Sequence, residues 1–284
     1  MAERLSDLSA QIESVRQLGA VVTAMRGIAA SRAQKGRSLL PGIEAFADVV
    51  SRAIGEALNL LRMDATEGPH PSERKRGVIL FCAEQGFAGA FSERVLHAVE
   101  HEPAGTVLFL VGTRGALVAR ERGIAPAWTA PMATSPELVP QLANRLADAL
   151  YARLTDDGLA SVDIVCSRTT TAGAIEVERR SLLPIDFSRF TRPVGQRQPL
   201  LNLEPSRLME RLAAEYVFAQ LCLSAMQAFE AENEARMLAM ASARTNIDSR
   251  LALLRQRERQ VRQEEITGEI IELATGAEAL RNRS

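Results

Sequence analysis

Lysine is almost missing from this 284-residue chain. Lys35 and Lys75 are the only two, and every other basic side chain is arginine. Basic and acidic residues nearly cancel, 34 against 35, for a formal net charge of -1. That balance excludes a general electrostatic pull toward nucleic acid or an anionic membrane surface. Aromatics are scarce at 4%, as expected where alanine-rich helices pack closely. The three cysteines, Cys82, Cys166 and Cys222, are odd in number and sit in apolar stretches without metal-site spacing. They read as buried reduced thiols in a cytosolic setting. Only three histidines are present. No signal peptide is recognisable, and no apolar run is expected to reach the ~18–20 residues needed to cross a bilayer. Any link to a membrane is therefore expected to come through partners.

What the chain has is long helical periodicity at both ends. Met237, Met240, Arg244, Ile247, Leu251, Leu254, Glu258 and Val261 recur at alternating steps of three and four. This 3.5-residue spacing draws one narrow stripe along a helix, the seam of a coiled coil. Tyr216, Ala219, Leu223 and Met226 set the same steps upstream, and Ile266, Ile270, Leu273, Ala277 and Leu280 restart the stripe one position later. No proline follows Pro205, so a helix from about 206 onward would extend about 110 Å at 1.5 Å per residue. At the other end, Leu5, Leu8, Ile12, Val15, Gly19, Val22, Met25 and Ala29 form a second seam. Pro41-Gly42 should kink or briefly interrupt this helix. Beyond it Ile43, Phe46, Val50, Ile54, Ala57 and Leu61 continue a broader apolar face. Neither seam can remain exposed, so the two ends should pair. The middle of the chain must join them, so the pairing should be antiparallel, with the longer C-terminal helix extending past its partner.

Between the seams, Gly77–Ala83, Thr106–Val111 and Val162–Cys166 are short continuous apolar runs, as buried strands are. Helical patterns around Ser92–His101, Arg114–Arg122 and Pro136–Leu154 alternate with them, which argues for a parallel sheet covered by helices. Ala174–Leu183 alternates like an edge strand. The expected organisation is a coiled-coil shaft from residues 1–62 and 206–284, and a Rossmann-like α/β domain with a mostly parallel sheet at 77–195. The links are 63–76, a polar exposed loop carrying Gly68, Pro69 and Pro71, and 196–205.

Four signals resemble sites of chemistry or binding. Glu84–Ala90 follows the first strand where a phosphate loop would sit, but it has neither the P-loop lysine nor the dinucleotide glycine pattern, so a tight strand-to-helix turn is the simpler reading. Gly112–Gly115 repeats the situation after the second strand. His97 and His101 match an H-x-x-E-H spacing, but no third ligand is identifiable, which leaves two surface histidines. The Arg250, Arg255, Arg257, Arg259 and Arg262 run, interleaved with Glu258, Glu264 and Glu265, reads as a solvated helix face or as a surface for an acidic protein partner. No catalytic, metal-binding or cofactor-binding residue is assigned.

Several spaced segments resemble one family. Glu232–Met240 (ENEARMLAM) is similar to the ARMxAM motif of the gamma subunit of rotary F-type ATP synthases and ATPases, Arg262–Ile270 (RQEEITGEI) to its RQxxITxEI, and Glu272–Ala277 to its closing E-x-x-x-G-A. Ala24-Met25 and Ala29–Arg32 resemble its N-terminal AM…AAS(K/R), and Glu84–Phe91 its Gly-rich turn. The resemblance implies an antiparallel coiled-coil shaft inside a ring of alpha and beta subunits. It implies an α/β foot on the membrane ring of c subunits, with epsilon alongside, on the cytoplasmic side of a bacterial inner membrane. It implies rotation that couples ion flow to ATP synthesis or hydrolysis, with no nucleotide, cofactor, nucleic acid or membrane span of the chain's own. Residue by residue, Arg236, Gln263 and Thr267 match the family's outward polar contacts to the beta subunits, and Met25 matches the N-terminal residue facing them.

The chain also departs from the family. Thr23 stands where a lysine usually precedes Ala-Met, and Gly89-Ala90 replaces Gly-Gly. Glu258-Arg259 replaces Tyr-Asn, and Glu264 and Glu265 replace two small residues. Such changes fit a divergent member or the alternative sodium-pumping complex. Two other readings compete: a nucleotide-binding α/β enzyme, and a coiled-coil scaffold without energy coupling.

Overall fold

The computed structural model describes residues 2–61, 75–156, 158–190 and 201–281. The first helix, α1, runs over Ala2–Leu61 and the last, α5, over Pro205–Arg281. Between them lie strands β1 (Lys75–Phe81), β2 (Val107–Val111), β3 (Trp128–Ala130), β4 (Leu159–Thr169) and β5 (Ile175–Leu183), with helices α2 (Phe91–His97), α3 (Thr113–Glu121) and α4 (Val139–Asp156). The chain divides into two compact units. One comprises residues 1–28 with 237–284, the other residues 29–236.

The larger unit is built on a five-stranded sheet in the order β3-β2-β1-β4-β5. The first four strands are parallel, and β5 is antiparallel to β4 at the edge. β1 is central and covered on both sides, which explains its unbroken apolar run. Ile79 and Phe81 face one way, into a core shared with Leu142 and Leu146 of α4 and with Val217, Leu221, Ala225 and Phe229 of α5. Val78, Leu80 and Cys82 face the other way, against Val95 and Leu96 of α2 and Val118 and Ala119 of α3. Further along, Val50, Ile54, Ala57 and Leu58 of α1 pack with Met209 of α5 and with Tyr216, Phe187 and Phe190 at its margin.

The smaller unit is an antiparallel helix pair. Val22 of α1 is buried with Met240, Ile247 and Leu251 of α5, and Ile12, Val15 and Met25 pack on that cluster. Burial follows the 3.5-residue stripe along both helices through Val261. Gly19 leaves room for two side chains of α5, because a Cβ there would lie 3.1 Å from the Arg244 Nη1 and 3.3 Å from the Ile247 Cγ2.

The fold class read from the sequence therefore holds, with four corrections of detail. Pro41 lies inside α1 without interrupting it. Pro41 and Arg37 are exposed, so the carbonyl that Pro41 cannot serve is on the watered side of the helix. The exposed loop ends before Lys75, not at Arg76, because Lys75 and Arg76 already pair with Leu159 and Ser161; the rest of that loop and residues 196–200 of the second link lie outside the described residues. The short strand β3 was missed. Its three residues are too few to show a period, and its signal is only the register it borrows from β2. Finally, the C-terminal stripe does not restart at Ile266. The inward face passes from Val261 to Glu265 and Gly268, while Ile266, Ile270 and Leu273 are 51%, 60% and 74% exposed. α1 begins at Ala2, and its Asp7, Leu8 and Gln11 share a groove with Arg257 and Val261, so α5 runs on past the start of its partner. The side chains of Ala277 and Leu280 lie outside the described residues.

Candidate coupling site

α5 crosses the sheet with a row of buried polar side chains inside an otherwise apolar stretch. Ser224, Glu230, Glu232, Asn233 and Arg236 are all buried. Buried charge is tolerated only when paired and hydrogen-bonded, so each needs partners, and each has them. Arg180 on β5 donates to the Ser224 hydroxyl at 2.9 Å and to Gln227 Oε1 at 2.8 Å. Glu230 accepts from Arg37 of α1 at 2.6 Å and from the Thr169 hydroxyl at 2.6 Å, tying α1, α5 and β4 together. The Arg37 guanidinium also reaches Glu234 at 3.2 Å. Its hydrogen bond to Glu230 holds its pKa above the ordinary arginine value.

Next comes the turn after β1. The Glu232 carboxylate accepts from the backbone N–H of Glu84 at 3.1 Å and of Gln85 at 3.3 Å. One helical turn on, Arg236 donates to the carbonyls of Gln85 at 3.1 Å and Gly86 at 3.2 Å. Arg236 also donates to Asn233 Oδ1 at 3.2 Å and pairs with Glu232. Both members of the pair are almost fully buried. The turn they hold presents Phe87 with φ 63° and 68% exposed. Left-handed backbone of this kind costs a non-glycine residue about 1–2 kcal/mol.

Glu84 accounts for the apparent phosphate loop. Its carboxylate accepts from Thr113 N at 2.9 Å, the Thr113 hydroxyl at 2.8 Å and Met132 N at 2.7 Å. An anion at the start of α3 is what that helix end favours, and the chain's own carboxylate supplies it. On the inner side of the turn, a polar cavity lined by Arg32, Glu84, Thr134, Glu232, Asn233 and Arg236 measures about 10 Å³, room for about one water.

The residues marked by family resemblance separate in the structure. Gln263 and Thr267 are exposed, one turn apart on α5, and the Thr267 hydroxyl donates to the Gln263 carbonyl at 2.8 Å. Met25 is half-buried against the seam cluster in the same unit. Arg236 was expected to face outward and does not. It is 5% exposed, turned toward Glu232 and the carbonyls of the turn, where a desolvated guanidinium finds its acceptors. Glu230, Arg37 and Arg180 lie on none of the sequence signals for a site, and Glu84 and Glu232 only open two of the marked segments, with no role of their own. The available signal was the i, i+4 pairing of Glu232 with Arg236 inside a stretch too apolar to carry charge idly.

The remaining candidates are quiet. α2 ends at His97, so the two histidines share no helical face, and His97 Nδ1 lies 2.7 Å from Glu100. Among the described residues no group of His, Cys, Asp or Glu is placed to hold a metal. The three cysteines are free and buried. Burial raises the Cys222 thiol pKa to about 12, and burial with the nearby Glu232 charge raises that of Cys82. One 18-residue window in α5 does meet the bare length and hydropathy requirement for a membrane span, contrary to expectation, at a mean hydropathy of 1.2. Of that window 56% is buried inside the protein, as befits the helix that packs on the sheet.

The chain thus combines an antiparallel pair of terminal helices with an α/β unit whose anion position is filled by its own side chain. A family model described as ATP synthase matches residues 4–280, and the chain belongs to that family. The ATP synthase gamma chain of Kineococcus radiotolerans is 29% identical over 99% of this chain and 98% of its own length. That of Acidothermus cellulolyticus is 28% identical over 99% and 98%. Among solved structures, the rotor of the Euglena gracilis mitochondrial ATP synthase matches with a TM-score of 0.68 at 14% identity, covering 94% of this chain and all of that one. The central stalk and c-ring of the Tetrahymena thermophila mitochondrial ATP synthase match with a TM-score of 0.54 at 14% identity, over 78% of this chain and 99% of that one. The family resemblance read from the terminal motifs is thereby borne out.

Proposed function

We infer that this chain is the central-stalk rotor, the gamma-type subunit, of an F-type ATP synthase or ATPase. It couples ion flow through a membrane sector to ATP synthesis or hydrolysis by turning inside a ring of alpha and beta subunits. The observation that carries this reading is the full-length match to bacterial gamma chains in a chain whose two ends pair along a continuous seam. Residues 1–62 and 206–284 are read as the shaft and residues 77–195 as the foot. The foot meets a c-ring and an epsilon subunit. The complex is membrane-bound, and this subunit sits peripherally on the cytoplasmic side of the inner membrane.

Met25, Gln263 and Thr267 are proposed as contacts that carry torque to the beta subunits. The exposed positions of Gln263 and Thr267 support this, as does the unpaired apolar surface of Ile266, Ile270, Ile271 and Leu273 beside them, since an exposed apolar patch of this kind needs a partner. Arg236 contributes through its hold on the Gln85–Gly86 turn. Co-purification of the tagged chain from its own cells tests the assignment. Alpha and beta subunits with ATP-hydrolysing activity should accompany it, and their absence from an otherwise intact preparation overturns it.

A further inference from the structure

We propose that Glu232 and Arg236 form an internal brace that locks the Glu84–Gly86 turn to α5, so that torque entering the sheet passes to the helix through this point. The torque half of the proposal rests on the rotor reading above; the brace half rests on geometry alone.

The geometry is a two-way grip. Glu232 accepts two backbone N–H groups of the turn, and Arg236 donates to two of its carbonyls. The backbone itself is held, so the grip does not depend on which side chains the turn displays. Glu232 and Arg236 pair with each other, so neither can leave without stranding a buried charge. Ala83, Ala88 and Phe91 close over Ala231 and Ala235 beside them, all buried, which screens that side of the pair from bulk solvent and strengthens it. The turn is also tied from behind, because Glu84 accepts from Thr113 and Met132. Three strand ends, those of β1, β2 and β3, therefore converge on one bond set that ends on α5. A turn held this way can keep Phe87 at φ 63°, a conformation an untethered loop would relax.

Arginine suits the role because its planar fork addresses two carbonyls from two separate nitrogens in a fixed geometry, where an ammonium offers a single rotatable nitrogen. The substitution R236K keeps the charge beside Glu232 and removes the fork. E232Q keeps an acceptor oxygen and removes the counter-charge. R236K leaves no buried charge uncompensated, so it is the variant that retains the fold.

Hydrogen exchange on the reconstituted complex, read in peptides covering residues 82–91, tests the brace. In both variants exchange in this segment should rise roughly tenfold to a hundredfold, the loss expected from charge-assisted hydrogen bonds, while peptides from the Val22–Leu251 seam stay as in the parent. Unchanged exchange at 82–91 overturns the brace. The ratio of ions pumped to ATP hydrolysed, measured on the same complexes, tests the torque path and should fall in both variants. Faster exchange with an unchanged ratio overturns the torque path and leaves the brace standing. A parent complex that hydrolyses ATP without moving ions overturns the rotor reading and the torque path with it, while the exchange result still decides the brace.

Discussion

The Arg244 guanidinium lies across Gly19, donating to its carbonyl at 3.2 Å and to the Thr23 hydroxyl at the same distance. Asp248 holds the other edge of the same side chain at 3.0 Å. A charged residue on a helical seam is costly unless its position is specified. Here Gly19 removes the side chain that would block Arg244, and Thr23 accepts one of its hydrogens. A threonine at position 23 places no second cation against Arg244.

This contact gives the first prediction. A Cβ at Gly19 would meet the Arg244 Nη1 at 3.1 Å and the Ile247 Cγ2 at 3.3 Å. Gly19→Ala gains about 1 kcal/mol of helix propensity and pushes mainly on the movable end of an arginine, so its net effect should stay within about 1 kcal/mol. Gly19→Leu cannot be accommodated that way and should destabilise by about 2 kcal/mol. Denaturant unfolding of the two variants distinguishes the cases.

Gly115 is a harder constraint. A Cβ there would lie 2.1 Å from the Cys82 Cβ, inside the core face of β1. Gly115→Ala should therefore cost about 3 kcal/mol. Adding Cys82→Ala should not rescue it, because the clash is with a Cβ that alanine retains. Recovery of parent stability in the double variant would show that the contact is with the thiol instead.

The two kinds of marked residue should part company under mutation. Gln263→Ala and Thr267→Ala change exposed side chains and should move stability by no more than about 0.5 kcal/mol, while lowering coupling in the assembled complex. Arg236→Ala strands the buried Glu232 carboxylate and should cost about 3–5 kcal/mol. Thermal melts of the isolated chain alongside ion-pumping assays separate the two. Equal stability losses at all three positions would contradict the buried and exposed assignments.

Glu84 sets the prediction for nucleotides. Its carboxylate fills the anion position at the start of α3, so titration of the isolated chain with ATP, ADP or dinucleotides should give no heat at micromolar concentrations. Glu84→Ala should destabilise by about 2 kcal/mol through the lost charge-assisted hydrogen bonds. Micromolar nucleotide binding by the parent chain would restore the enzyme reading.

Legibility from sequence followed the periodicity. The seams from Leu5 to Ala29 and from Met237 to Val261 could be read residue by residue, because a narrow interface between two helices leaves a fixed spacing. The doubly covered strands showed as apolar runs for the same reason that they are buried on both faces. Legibility failed where burial is decided by chain length or by hydrogen bonds. Ile266, Ile270 and Leu273 have seam spacing, but α1 does not reach them, and no local pattern records where a partner helix starts. Arg236 and Gln263 look alike as isolated polar letters on a helix. Only the backbone of a turn some 150 positions away in the chain makes one of them internal.

The central claim is that this chain turns. An optical probe fixed to the α/β domain, in complexes immobilised through their beta subunits and given ATP, reports that motion directly. Sustained rotation in one direction, halted when ATP is removed, is the predicted result. A complex that hydrolyses ATP at its normal rate while the probe stays fixed would contradict the account.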